Sequence, residues 1–372
     1  MMEPRRIAIA HDWIVRMRGG EKCLEALCEL YPDAEIFTLV HRPGSATSAI
    51  ERHRIHTSFL QHVPAARNRH QIFLPLFPPA TASLRPKGFD CLVSVSTAIA
   101  KSVRTPPETL NICYCNTPMR YVWDQYGEYF GPGRASAPVR AAMRILRGPL
   151  QRWDLRTAAY PHWFIGNSRN VQERIERTYR RPAEIIYPPV ETGRFAVSAT
   201  DEGFYLVVSA LVPYKRIDLA VRAAAGTGER LIVVGEGQEL ERLRALAGPT
   251  VEFVGWRSDA EIRDYYSRCR AVLFPGEEDF GIVPVEAMAT GKPVLAFARG
   301  GALETVVERG EGRTGVLFKE QAVASVVEGM RRLRETEFLP LKMREFALGF
   351  DTSVYKRKMK EYISARWAGF KR

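Results

Sequence analysis

The chain alternates short runs of β-branched, aliphatic and aromatic residues with longer stretches in which apolar positions return every three or four residues. Alternation of this kind marks parallel sheets whose strands are joined by helices. In the first half it predicts strands over Arg6–His11, Glu35–Val40, Cys91–Ser96, Asn111–Cys115 and His162–Gly166. In the second half it predicts them over Phe204–Ser209, Arg230–Gly235, Val251–Gly255, Ala271–Pro275, Pro293–Ala298 and Gly315–Phe318. Two doubly wound, Rossmann-like α/β domains follow, residues 1–190 and 191–345, joined across Ile186–Thr200, where Pro188 and Pro189 precede a small, polar run. Open sheets of this type bind ligands at the carboxyl ends of their strands, so two facing sheets are expected to leave a cleft. Past about residue 335 the pattern changes to charged helical segments with no strand to cover, and the last, 346–372, is expected to pack back onto the first domain.

Composition narrows the class. Among 372 residues, 46% are hydrophobic and 26% charged, which excludes a disordered, collagen-like or membrane-embedded chain. The longest apolar stretches, Leu74–Pro79 and Val93–Ala100, are far shorter than the roughly 18–20 residues that span a bilayer. Met1–Arg6 lacks the apolar core of a signal peptide, and the expectation is a cytoplasmic protein. Six cysteines form no C-x-x-C pair and have no histidines at zinc-finger spacing, so neither a disulfide framework nor a metal site is expected.

Charge is unevenly distributed. The net charge is +12, and residues 1–190 carry 26 Lys and Arg against 16 Asp and Glu. A basic half attracts polyanions in general, leaving nucleic acid, an anionic membrane surface and phosphorylated substrates open.

The densest chemical signal runs from Phe274 to Val294, where a strand ends, an acidic loop follows and Pro284 suits a first helical position. The backbone amides of Gly281, Ile282 and Val283 are then free at a helix N-terminus, aimed at an anion such as phosphate. Glu278 and Glu286, eight positions apart, reach the same small space. A glutamate early in a helix also has a purely structural use in a capping box, but Val283 at the expected cap has no hydroxyl to reciprocate. Two carboxylates beside such a helix start suit a ligand that is both hydroxylated and phosphorylated.

Lys215, in Val212-Pro-Tyr-Lys-Arg-Ile-Asp218, opens the helix after the second domain's first strand, where an ammonium can neutralise phosphate. In the first domain, Gly19 and Gly20 of Arg18-Gly-Gly-Glu-Lys22 allow close backbone approach, although a tight turn explains them equally well. The segment Asn111–Asp124 places Asn116, Thr117, Arg120 and Asp124 just past a strand's carboxyl end. From Val139 to Arg156, Val139, Met143, Leu146, Leu150 and Trp153 recur at helical spacing and are flanked by arginines. A basic amphipathic helix suits a membrane interface, but the stripe serves equally as domain core, and Gly148-Pro149 is expected to break or kink it.

Together, Glu278-x7-Glu286 with Phe-Gly-Ile-Val-Pro-Val between, Leu-Val-Pro-Tyr-Lys215, Val251-Glu-Phe-Val-Gly255, Asn167-Ser168 before a helix, and His11-Asp12-Trp13 with Gly19-Gly20 resemble family-4 retaining glycosyltransferases of the GT-B fold. The resemblance spans nearly the whole chain and looks closest to bacterial mannosyltransferase-like enzymes of O-antigen and exopolysaccharide synthesis. It implies that Glu286 holds the nucleotide ribose, that Glu278 contacts the donor sugar, and that Lys215 with Gly19, Gly20, Phe280, Gly281, Ile282 and Val283 binds the rest of the donor. Asn116 falls among the catalytic positions with Glu278 and Lys215, while Thr117, Arg120 and Asp124 are acceptor-side. No bound metal and no cofactor are implied, only a nucleotide-sugar substrate, and the chain has no Asp-x-Asp.

Three positions depart from the pattern: Asn116 and Thr97 stand where relatives carry His, and Ala210 where many carry Arg. The expected activity is transfer of a hexose, mannose from GDP-mannose, to a lipid-linked oligosaccharide at the inner face of the cytoplasmic membrane. The alternatives are a non-catalytic glycosyltransferase-like partner and a nucleotide-sugar epimerase. Nucleic-acid binding is not expected, because the basic residues are not interleaved with a recognition module.

Overall fold

A computed structural model describes residues 3–131 and 133–370; the outermost residues of the predicted first domain and terminal helix lie outside these. Among the described residues thirteen strands alternate with helices: β1 (Ile7–His11), β2 (Glu35–Thr38), β3 (Ile55–Thr57), β4 (Cys91–Ser96), β5 (Leu110–Cys115), β6 (Trp163–Gly166), β7 (Ala183–Ile185), β8 (Phe204–Val208), β9 (Arg230–Val234), β10 (Val251–Gly255), β11 (Ala271–Phe274), β12 (Val294–Phe297) and β13 (Gly315–Phe318). They form two all-parallel sheets, ordered β3-β2-β1-β4-β5-β6-β7 and β10-β9-β8-β11-β12-β13. Each order reverses once beside its first strand, at β1/β4 and at β8/β11, the switch points where open sheets bind ligands. The chain divides into one unit that runs to Pro189 and resumes at Ser353, and a second spanning Val190–Thr352.

Central strands are buried on both faces, and their sequences are correspondingly near-continuous apolar runs such as Ile-Ala-Ile-Ala in β1. In the first unit, one face packs on helix Gly19–Leu30 and on the terminal helix Thr352–Phe370. That terminal helix inserts Tyr355, Met359, Ile363 and Trp367 into the core beside Ile9, Leu24 and Ile112. Each side chain so buried contributes about 1.5–3 kcal/mol. Ion pairs from Lys356 to Glu29 (2.5 Å) and from Lys360 to Glu3 (3.2 Å) lie along its rim.

The other face packs on helix Ala137–Thr157. Met143 and Leu150 are buried, Leu146 and Trp153 are packed on the core, and only Val139 of the predicted stripe is exposed. The stripe is therefore domain core. Of the break or kink expected at Gly148-Pro149, the break does not occur: one helix runs through both residues. A proline there frees the carbonyl four residues earlier, and Ile145 and Pro149 both lie on the exposed face, where water can take that carbonyl.

A buried ion pair fastens this helix. Asp154 is fully buried, 2.9 Å from the Lys101 ammonium, and accepts hydrogen bonds from Trp123 Nε1 (2.7 Å) and the Tyr179 hydroxyl (2.9 Å). Lys101 also donates to the Asp154 carbonyl (2.8 Å) and Thr157 Oγ1 (3.0 Å). Removing one partner strands a buried charge, so Asp154→Ala is expected to lower stability by about 3–5 kcal/mol, measured by urea denaturation.

Candidate active site

The second unit gathers its chemistry at the carboxyl ends of β8 and β11. After β8 the chain makes a 3-10 turn, Pro213–Lys215, before helix Ile217–Thr227. Arg216 caps that helix with φ +51° and turns its guanidinium to Asp218 (3.1 Å) and Gln321 (3.2 Å), leaving Lys215 to face the other way. After β11 the chain passes Gly276, where an added Cβ would lie 2.8 Å from the Lys215 backbone. Only glycine lets these two loops lie so close. Lys215 and Glu278 consequently meet as an ion pair, both mostly shielded from solvent.

Beyond Glu278 the turn is clamped from beneath. Glu278 bridges to Gly300, the Gly301 amide donates to the Glu278 carbonyl (2.9 Å), and a Cβ at Gly301 would collide with the Phe280 backbone. The helix begins earlier than the proline implies: it runs Ile282–Ala289, with Gly281 at its cap at φ +90° and Pro284 in its third position. A left-handed cap is open to glycine and closed to the predicted Val283. The amides of Ile282 and Val283 belong to the first turn and have no acceptor within the helix. Glu286, one turn further, accepts a hydrogen bond from the Tyr266 hydroxyl (2.9 Å), and burial together with this carboxylate pushes the phenol well above its usual pKa. Ala210 is exposed, and its methyl offers no charge.

The first unit gathers polar side chains at the carboxyl ends of β1, β4, β5 and β6. Strand register aligns His11 with Val95, Ser96 with Cys115, and Cys115 with Gly166, so His11, Thr97, Asn116 and Asn167 end in one row. Helix Gly19–Leu30 starts beside them. A Cβ at Gly20 would lie 3.5 Å from Asn116 Nδ2, 3.6 Å from His11 Cε1 and 3.7 Å from Thr97 Oγ1, so the missing side chain keeps this space open. Asn116 accepts from Asn167 Nδ2 (3.4 Å), while its own amide nitrogen is buried without a partner.

Two acidic residues hold the row. The Asp12 carboxylate accepts the amides of Thr97, Ala98, Ile99 and Ala100 at 2.6–2.9 Å, fixing the loop after β4. Burial raises the Asp12 carboxyl, and His11 and those amides oppose the rise. Glu21 lies 3.5 Å from His11 Nε2. Burial pulls the imidazole down, but the carboxylates of Glu21 and Asp12 outweigh it and leave its pKa raised.

Thr117 and Asp124 are both held by Arg174, which donates to Thr117 Oγ1 (2.8 Å) and pairs with Asp124 (2.9 Å). Arg177 also pairs with Asp124 at 2.9 Å, and Arg120 is half-buried in the turn between them. Arg174, Glu21 and Tyr266 escaped sequence reasoning. Glu21 and Arg174 lie on helices whose charged faces look solvated, and Tyr266 reads as an ordinary apolar helix position. Among the described residues, no cluster of His, Cys, Asp or Glu is arranged to hold a metal ion.

The raised His11 pKa has a definite sign. Its ion pair contributes stability below about pH 6.5 and loses it as pH rises through the higher folded-state pKa. In an NMR titration of the imidazole, His11 is expected to titrate above about 6.5, and Glu21→Gln to lower that midpoint because burial then dominates.

Residues 191–348 match the family described as Glycosyl transferases group 1. An uncharacterised glycosyltransferase of Methanocaldococcus jannaschii is 26% identical over 177 residues, 46% of this chain and 49% of that protein. A GDP-mannose-dependent alpha-mannosyltransferase of Mycobacterium tuberculosis is 34% identical over 144 residues, 35% of this chain and 36% of that one. The chain thus spans about half, or less, of the length of these curated relatives. Anabaena HepE, solved in complex with UDP, superposes with a TM-score of 0.68 at 18% identity, covering 97% of this chain and 100% of that one. With its two Rossmann-like parallel-sheet units and its likeness to that solved structure the chain has the GT-B fold, and its residues 191–348 are similar to the group 1 glycosyl transferases.

Proposed function

We propose that the protein is a metal-independent, retaining hexosyltransferase that moves mannose from GDP-mannose to a lipid-linked oligosaccharide at the cytoplasmic face of a membrane. The observation that carries this reading is the meeting of Lys215 and Glu278 beside the open helix start at Gly281–Val283. An ammonium and two or three amides suit a diphosphate, and the carboxylates of Glu278 and Glu286 suit sugar and ribose hydroxyls. When a donor arrives, its phosphates compete with Glu278 for Lys215, which releases the carboxylate toward the sugar.

In the transfer, the bond from the anomeric carbon to the phosphate oxygen breaks and a bond to the acceptor oxygen forms on the same face. The acceptor's proton passes to the departing phosphate, so no protein nucleophile is needed. Lys215 and the helix-start amides take up the charge that develops on the leaving group. In the first unit, Asn116 offers its buried, unpartnered amide N–H to a sugar oxygen, with Arg120 and Asp124 toward the acceptor; Thr117, expected there too, is buried and bonded to Arg174, so it supports that side without touching the acceptor. Mannose is favoured by the name of the mycobacterial relative, while the UDP bound to the Anabaena protein keeps a uridine donor as the comparison arm. No helix among the described residues is long and apolar enough to cross a membrane, and surface attachment rests on the outward face of helix Ala137–Thr157. There Arg144, Arg152 and Arg156 are exposed alongside Ile145 and Leu155.

A second reading, a partner protein that binds nucleotide sugar without turnover, is favoured by Ala210, which leaves the turn with one cation fewer than its pattern. Incubation with radiolabelled GDP-mannose and UDP-glucose plus membrane extract separates the two. Label moving from GDP-mannose into the lipid fraction is the expected outcome. Absence of both transfer and hydrolysis with every donor would contradict it, and recovery of turnover in Asn116→His would then favour the partner reading.

A further inference from the structure

The first unit contains a second concave site, of about 460 Å³, that shares no residue with the one above. Two of its walls are the segments leading into the amino ends of β4 and β5, whereas His11, Thr97 and Asn116 lie at the carboxyl ends. The third wall is the end of helix Ala137–Thr157. Arg85, Lys87 and Arg104 stand around this cavity, and Leu84, Trp153 and Tyr160 supply apolar surface.

The charge around this hollow is of one sign. No aspartate or glutamate lines it, and among the described residues none of the three cationic side chains has a hydrogen-bond or ion-pair partner. Elsewhere in the molecule arginines are commonly paired, as Arg268 is with Asp264 and Glu202, or Arg331 with Glu328 and Glu335. Three unneutralised cations around one concavity repel one another, and a bound anion relieves that repulsion. The floor is polar but uncharged: Ser102 and Thr157 are buried and hydrogen-bonded to each other at 2.7 Å, and both are tied to Lys101. The Lys101 charge is answered by Asp154. The cavity therefore offers cations at its rim, hydroxyls beneath, and aromatic and prolyl surface between them.

We infer that this cavity is a binding site for an organic phosphate ester, the phosphate gripped by Arg85, Lys87 and Arg104 and the organic body resting on Trp153 and Tyr160. Guanidinium forks and an ammonium match phosphate oxygens, and the apolar lining favours an ester over inorganic phosphate. The site needs no contribution from the donor-binding turn, and it stands whether or not the protein transfers sugar. A soluble sugar phosphate and an anionic phospholipid headgroup both present a negatively charged phosphate ester, whereas in phosphatidylcholine the quaternary ammonium cancels that charge.

The test uses the full chain with two probes: glucose 1-phosphate by calorimetry, and phosphatidylcholine vesicles with or without phosphatidylglycerol by cosedimentation. Binding to at least one probe is expected, with no binding to glucose or to pure phosphatidylcholine. The combined variant Arg85→Ser, Lys87→Ser, Arg104→Ser is expected to weaken that binding by about a hundredfold or more, at an unchanged melting temperature, because these side chains hold nothing in the fold. Lys215→Ala is expected to bind as wild type. Binding of the soluble ester identifies a free metabolite, and binding of phosphatidylglycerol vesicles alone identifies a headgroup. The inference is overturned if neither probe binds or if the triple variant binds as wild type. Binding lost in Lys215→Ala would assign the ester to the donor turn, and an equal loss of glucose 1-phosphate binding in Arg144→Ser, Arg152→Ser, Arg156→Ser, a face expected to touch vesicles in its own right, would reduce it to general surface charge; either result also overturns it.

Discussion

The contact between Lys215 and Glu278 organises the second unit's chemistry. It exists because two loops, one after β8 and one after β11, approach until backbone nearly touches backbone, which Gly276 allows. An ammonium and a carboxylate held together beside unpaired helix-start amides make a site that is self-neutralised when empty. On the proposed reading, a diphosphate arriving there exchanges one anion for a more highly charged one. Turn and helix geometry carry much of the cost of arranging these groups, since Gly300 and Gly301 clamp the loop backbone regardless of ligand.

The first unit follows the same plan with weaker charges. Its polar row at the strand ends is set by parallel register, and Asp12 converts the loop after β4 into a rigid shelf by accepting four consecutive amides. A rigid shelf with an open space over Gly20 and an unanswered amide on Asn116 is preorganised for a hydrogen-bond acceptor. The neighbouring acids and bases, by contrast, are spent on one another, as Arg174 with Thr117 and Asp124 shows.

Much of the fold was legible because parallel strands covered on both faces are rich in apolar residues, and eleven of the thirteen strands among the described residues are four residues or longer, enough for that bias to show. The two that escaped, Ile55–Thr57 and Ala183–Ile185, are three-residue strands at the two edges of the first sheet; each pairs with one neighbour and interposes a polar residue, His56 or Glu184. Pro284 misled because proline at a helix's first position is a tendency, whereas Gly281 at φ +90° is a geometric requirement that the letters do not display. Pro149 misled for a related reason: its cost depends on which side of the helix faces water. The chemistry of the acidic turn was legible as residue types, but not the pairing of Lys215 with Glu278 or of Glu286 with Tyr266. Those contacts join segments twenty to sixty residues apart and depend on how closely loops approach.

The central claim is that the turn from Glu278 to Glu286, together with Lys215, grips a nucleoside diphosphate. Isothermal titration of GDP and UDP into the wild-type protein and into Lys215→Ala tests it most directly. The account predicts that at least one of the two nucleotides binds and that losing the ammonium weakens it by about ten- to a hundredfold, the equivalent of one charge-assisted contact. Failure of both nucleotides to bind, or equal affinity in the variant, would contradict it.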